Sequence, residues 1–183
     1  MSGIRFSSPL QKICATAVVA WSTLLTPISA SAQATEPDLK AAIISNMLLF
    51  VQWPARSSFP AEQITICYQG RGPVVGALIA LDGKDIKGKV LKIVEIAQIN
   101  ATDCQALYIS PGNAAILAKT LAQIGSSPVF IAADSPNYFR HGVMLNLELV
   151  SGRIVFDIDL NSVQKSGLQL SSKALRLARQ VIE

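Results

Sequence analysis

The chain is poor in the residues that carry most protein chemistry: of 183 residues, three are cysteine, one is histidine, 6% are aromatic and only 15% are charged. Three cysteines are too few for a disulfide-stapled scaffold. A single histidine, His141, leaves no second imidazole for a soft metal site. Any Ser-His-Asp triad would have to rest on that one residue. Scarce aromatics and a net charge of only +4 argue against a dedicated nucleic-acid binder, which gathers Lys and Arg on one face beside stacking rings. Low charge combined with 50% apolar residues excludes disorder. No internal repeat or linker divides the chain, and its length suits one domain with a sizeable core.

What is abundant is hydrophobicity, with a mean hydropathy of +0.40, and part of that excess is terminal. Arg5 and Lys12 precede an apolar stretch from Ile13 to Leu25, and Ala30-Ser31-Ala32 is an A-x-A pattern. Charged start, short apolar segment and small-residue site predict a cleaved secretory signal peptide over residues 1–32, with the domain occupying 33–183. The apolar segment is too short to span a bilayer, which needs roughly 20 residues, so the mature chain is expected to have no membrane span. Cys14 lacks the small and leucine neighbours of a lipoprotein signal. Fourteen basic and twelve acidic residues remain after residue 32, a net charge of +2, and the cysteines become an even pair, Cys67 and Cys104.

Glu36-Pro37-Asp38 opens a helix, since proline is tolerated in the first turn and acids favour the positive end of the dipole. The stretch 39–53 is apolar almost all round until Trp53-Pro54 stops it. Ile43, Ile44, Met47, Leu48, Phe50 and Val51 share one broad face, Ser45, Asn46 and Gln52 lie opposite, and Leu49 falls among the polar residues. Such a helix is either fully buried or turns a second face to a partner, and Met47, Leu48, Leu49 and Trp53 are the candidate contacts. Strands are expected at 63–68, 90–96, 106–109 and 129–133, with helices at 73–81 and after Pro111-Gly112-Asn113.

The clearest local signal is a hairpin. Val143, Leu145, Leu147 and Leu149 alternate on one strand and Ile154, Phe156, Ile158 and Leu160 on the next, around Ser151-Gly152. That turn sets Leu149 opposite Ile154, Leu147 opposite Phe156 and Leu145 opposite Ile158. The other face, with Asn146, Glu148, Arg153, Asp157 and Asp159, is expected to be wet or to meet a polar partner. A last helix is expected from Ser171, with Ala174, Leu177, Ala178 and Val181 inward and Lys173, Arg176 and Arg179 on a basic side. The fold class is α/β (α+β): a three-layer single domain with a mixed β-sheet flanked by helices and a C-terminal antiparallel hairpin and helix.

Cys67 near the end of one strand and Cys104 just before another can meet at one edge of a parallel sheet, and export permits a disulfide. The alternative is two buried free thiols. Gly70-Arg71-Gly72 with Gly76 imitates a dinucleotide fingerprint between strand and helix, yet its spacing is one residue too long and Pro73 removes an amide donor. A turn holding a small anion through Gly70, Arg71 and Gly72, or a plain glycine-rich turn, are the readings left. Asp157 and Asp159 share a strand face with no sign of a cleft between them, as a paired-carboxylate hydrolase would need. No catalytic constellation, metal site or cofactor motif emerges, and an enzyme is not expected.

Over roughly residues 39–181 the chain resembles the YfiR family of small periplasmic proteins. The matching blocks are Lys40-Ala41-Ala42 through Asn46, Phe50-Val51-Gln52-Trp53-Pro54, Ile66-Cys67, Asp103 through Ile109, Phe139 through Leu145, Gly152 through Ile158, and Gly167-Leu168 to Leu175. Departures are Leu49, where the family commonly has lysine, Gln105, often histidine, and His141, often glycine. The resemblance implies a periplasmic, non-enzymatic regulator that binds the sensor domain of an inner-membrane diguanylate cyclase and restrains it, lowering cyclic-di-GMP and biofilm formation. It also implies a tendency to form homodimers and a redox-relevant disulfide at Cys67 and Cys104; a second cysteine pair found in some members is absent. The competing expectation, read from the glycine turn, is a periplasmic binding module for a small anionic ligand. No nucleic-acid partner is expected under either reading.

Overall fold

The structure is a computed structural model that describes Gly3 and residues 33–55, 57, 59–96, 103–112, 114–136 and 138–183. The predicted signal segment, 1–32, lies outside the described residues apart from Gly3, and the fold below is that of Gln33–Glu183. In chain order the elements are α1 (Glu36–Met47), a 3-10 turn (Leu48–Phe50), β1 (Val51–Gln52), β2 (Gln63–Gln69), α2 (Pro73–Ile79), β3 (Asp85–Ile86), β4 (Lys89–Glu95), β5 (Ala106–Ile109), α3 (Ala114–Ile124) and β6 (Phe130–Ala133). A second 3-10 turn (Phe139–His141) leads to β7 (Leu145–Val150), β8 (Arg153–Asp159), α4 (Leu160–Lys165), β9 (Gln169–Leu170), α5 (Ser172–Leu175) and β10 (Gln180–Ile182).

Eight strands form one mixed sheet in the order β10-β8-β7-β6-β5-β2-β4-β3, while β1 and β9 pair separately. The centre is parallel from β4 through β2, β5 and β6 to β7. Accordingly β5 and β6 are buried along their whole length, as a strand covered on both faces must be. The crossover β2-α2-β4 leaves the β2/β5 pair in one direction and β5-α3-β6 leaves it in the other. Right-handed crossovers running in opposite directions put α2 and α3 on opposite faces of the sheet. That makes three layers, with α1 packed against α2, and it makes the β2/β5 boundary the point where the strand order reverses.

The hairpin register is the one the alternation demands: Leu145 opposite Ile158, Leu147 opposite Phe156 and Leu149 opposite Ile154. Ser151 and Gly152 turn it with φ of 49° and 76°, the two positive values a type I′ turn requires. The first helix begins as expected, with a capping box in which the Thr35 hydroxyl accepts from the Asp38 N–H and the Asp38 carboxylate accepts from the Thr35 N–H. The Thr35 hydroxyl also donates to the Asp38 carboxylate, and this bond, with the one from the Thr35 N–H, holds the Asp38 carboxyl below its ordinary pKa.

Three expectations are corrected. The first helix stops at Met47 rather than running to Trp53, because Val51 and Gln52 extend to pair with Leu170 and Gln169. Ser45, expected on a polar face, is buried at 1% exposure, and its hydroxyl donates back to the Ala41 carbonyl at 2.8 Å. The last helix is one turn long; Leu177 is 69% exposed, and Gln180–Ile182 form a strand beside β8 instead. An apolar residue every three or four positions suits a short turn followed by a strand as well as a helix when the segment is this brief, and edge pairing with β8 decides between them.

Candidate functional site

Of the four candidate contacts between Met47 and Trp53, Met47 and Leu48 are core residues at 5% and 1% exposure. Leu49 and Trp53 are half-buried, packed at the margin of the core. The Trp53 indole N–H donates to the Gln105 carbonyl at 3.3 Å, and its ring meets Phe59 edge-on at 6.4 Å. Gln105 in turn spans to β2, accepting from the Thr65 N–H through Oε1 at 2.9 Å. Trp53 is thereby anchored to the start of β5, next to the cysteine pair.

Cys67 and Cys104 are joined by a disulfide with Cα atoms 5.7 Å apart. Parallel pairing of β2 with β5, Cys67 opposite Leu107, brings them together. Both are 1% exposed. The bridge lies within the core.

The glycine turn has a built geometry. Gly70 adopts φ of 96°, and a Cβ there would fall 2.0 Å from Ser110 Oγ. Only glycine lets the exit of β2 come this close to the exit of β5. Ser110 donates to the Gln69 carbonyl from both its hydroxyl, at 3.1 Å, and its amide, at 3.2 Å. The Gln69 side-chain carbonyl accepts from Thr120 on α3 at 2.7 Å. Between these loops lies a crevice of about 220 Å³ whose lining includes Gly70, Arg71, Ser110, Ile109, Ile116 and Tyr138. Gly72 does not line it and instead occupies the N-cap position before α2. Arg71 is exposed and forms no ion pair among the described residues.

The polar face of the hairpin, expected to be wet or to meet a polar partner, is sealed at the Asn146–Asp157 pair, while Arg153 stays exposed. Asn146 and Asp157 are 0% and 2% exposed: the Asn146 Oδ1 accepts from the Ser135 N–H at 3.3 Å, and Arg179, just before β10, reaches across β8 to Asp157. Its guanidinium donates to both Asp157 carboxylate oxygens and bridges to Glu148 at 2.8 Å. These two acids hold Arg179 above its ordinary pKa. A second cluster had no counterpart in the sequence reading. Lys40 is 6% exposed, and its ammonium lies 3.0 Å from Asp134 and 2.7 Å from Glu36. The other Asp134 oxygen accepts from the buried Tyr108 hydroxyl at 2.6 Å. Burial works to lower the Lys40 pKa, but hydrogen bonds and charge from Glu36 and Asp134 outweigh it and raise the value. Burial and the Asp134 charge push the Tyr108 phenol far up. The available signal was a lone lysine in an otherwise apolar helix, which must either reach solvent or find an acid.

His141 is exposed beside a shallow cavity that also includes Ser162 and Lys165. Ser162 is committed to capping α4, its amide and hydroxyl both donating to Asp159. Among the described residues no group of three or more His, Cys, Asp or Glu side chains is placed to hold a metal ion, and no helix is long and apolar enough to cross a membrane.

A family model described as YfiR/HmsC-like matches residues 37–179. No curated protein matches the chain. Among solved structures, a conserved domain protein from Vibrio cholerae O1 biovar El Tor superposes with a TM-score of 0.53 at 12% identity, covering 80% of this chain and 60% of that one. An ABC domain in complex with L-Trp from Streptococcus pneumonia gives a TM-score of 0.49 at 10% identity, over 80% of this chain and 62% of that one. At these identities the first likeness is one of fold, and nothing is drawn from the second.

Proposed function

Because the chain belongs to the YfiR/HmsC-like family, whose members are periplasmic regulators of the diguanylate cyclase pathway, we propose that it is a non-enzymatic periplasmic protein that binds the sensor domain of an inner-membrane diguanylate cyclase and restrains it. The family match over 37–179 carries the reading, and the export features of residues 1–32 support it. The mechanism is a population shift: docking favours an inactive arrangement of the cyclase, and a signal that weakens docking relieves it. A tenfold restraint requires at least a tenfold difference in affinity for the two arrangements, about 1.4 kcal/mol. An interface of ordinary size supplies that easily. Leu49 and Trp53, at the margin where α1 meets β1, are the proposed docking residues. A homodimer is the proposed working form.

Deleting the gene in a strain that expresses the cyclase should raise cellular cyclic-di-GMP, and a plasmid copy should restore it. An unchanged level would sink the proposal.

A further inference from the structure

We propose that the crevice between the exits of β2 and β5 is a binding site for a small organic acid, its carboxylate held at Arg71 and its apolar body laid over Ile109, Ile116 and Tyr138. The position is the first argument. In open α/β sheets, ligands bind beyond the carboxyl ends of the strands where the strand order reverses, because oppositely directed crossovers part the loops there. In this sheet that place is the β2/β5 boundary, and the crevice lies on it.

Rigidity is the second argument. Gly70 packs against Ser110, Ser110 donates twice to Gln69, and Thr120 ties Gln69 to α3. The walls are therefore set before a ligand arrives, which spares the ordering cost of binding.

Size and chemistry define the occupant. An engineered cavity of about 150 Å³ accepts benzene, so about 220 Å³ suits a ring-sized body plus a carboxylate and is too small for a nucleotide. Ile116 is 52% exposed on α3, an apolar surface facing the crevice that a ligand body would cover. Arg71 is the cation at the mouth. Glu95, at the end of β4, interacts with Tyr68 and makes no ion pair with Arg71. The guanidinium is thus available for a carboxylate, which it matches with two parallel hydrogen bonds. The short α2, opened by Pro73, is not needed.

The probe is benzoate, titrated into the purified disulfide-intact protein and followed by amide NMR, with benzamide as the neutral isostere and inorganic phosphate as the charge without a body. Millimolar benzoate should give saturable shifts centred on Gly70, Ser110 and Ile116. Benzamide and phosphate should each bind at least about tenfold more weakly, and Arg71→Gln should weaken benzoate by about tenfold, the loss of one charge-assisted contact at a partly wet site. Arg71 is exposed, so this variant should keep the native spectrum; if it does not, Arg71→Lys replaces it, retaining the charge but losing the paired geometry, with a smaller loss expected. Shifts that fail to saturate or centre elsewhere, equal binding of benzamide or of phosphate, or full benzoate affinity in both Arg71 variants would each overturn the site. The assay contains no cyclase, so its failure would leave the regulatory reading standing, and the reverse also holds.

Discussion

Replacing Lys40 by Met keeps the length and apolar stem of the side chain and removes its charge. The Asp134 side chain is only 8% exposed, so its carboxylate is left with the Tyr108 hydroxyl and no cation. Breaking a buried pair by removing one member costs about 3–5 kcal/mol, and the surviving Tyr108 bond brings the expected loss to about 3 kcal/mol. For a domain of this size the urea m-value is about 2 kcal/mol per molar, so the unfolding midpoint should fall by about 1.5 M. Asp134→Asn should cost about 2 kcal/mol, and Lys40→Met/Asp134→Asn no more than the larger single loss, a coupling of about 2 kcal/mol. The sign of the pH dependence is an independent check. Because the folded state raises the Lys40 pKa above the ordinary 10.5, its contribution is complete below that value and disappears as pH rises through the folded pKa. The stability gap between the parent and Lys40→Met should therefore be flat through neutral pH and close in strong alkali. Single losses below about 1 kcal/mol that simply add would mean the pair behaves as a surface ion pair, and the reasoning would be wrong.

Reducing Cys67–Cys104, or replacing both by Ala, should lower stability by about 4 kcal/mol for a loop of this length; thiol titration of the unfolded, unreduced protein should find none from this pair. Gly152→Ala and Gly76→Ala should move stability in opposite directions, since neither added Cβ meets any atom but Gly152 holds φ of 76° while Gly76 lies inside α2. Thermal unfolding should show a loss of about 1 kcal/mol for the first and a gain of about 0.5–1 kcal/mol for the second. Leu49→Lys should weaken pull-down of the cyclase sensor domain by more than tenfold while costing under about 1 kcal/mol of stability, because Leu49 is only half-buried; equal damage to both would assign Leu49 to the core.

The elements legible in the sequence were those whose period is local. Leu145 to Ile158 alternates with period two around a dipeptide suited to positive φ, so strands, turn and register followed together. The parallel strands around Cys67 and Leu107 were legible as short apolar runs bounded by glycine and proline. Strand order was not, because nothing local encodes which parallel strand lies beside which. That one unknown hid both the cysteine geometry and the switch-point crevice. The misread segments share a physical cause. Val51–Gln52 and Gln180–Ile182 become strands only because β9 and β8 present unpaired edges to them, a tertiary event that outweighs weak local propensity. Asp157 read as solvent-facing until Arg179, 22 positions on, covers it, and Asn146 until the Ser135 backbone meets it.

The apolar excess of the first helix also changes meaning. All-round hydrophobicity in residues 39–53 is compatible with a second face held for a partner. Here α1 packs against α2 while Ala41, Ile44, Met47 and Leu48 join the common core, so burial within one chain accounts for it. Lys40, the one charge in that stretch, is neutralised inside the fold by Asp134 and Glu36. Hydrophobicity of α1 is thus no evidence of a docking face; that reading rests on the family and on the half-buried margin at Leu49 and Trp53. Two separable surfaces follow. One is this margin, where a partner would be held, and the other is the crevice bounded by Gly70 and Ser110, where a small acid would be held. They are linked through the chain by β5, whose entry anchors Trp53 at Gln105 and whose exit carries Ser110. A ligand that shifts β5 would reach both, and comparing sensor-domain affinity with and without saturating benzoate measures that coupling. Since coupling is reciprocal, any change in one affinity must appear as an equal factor in the other.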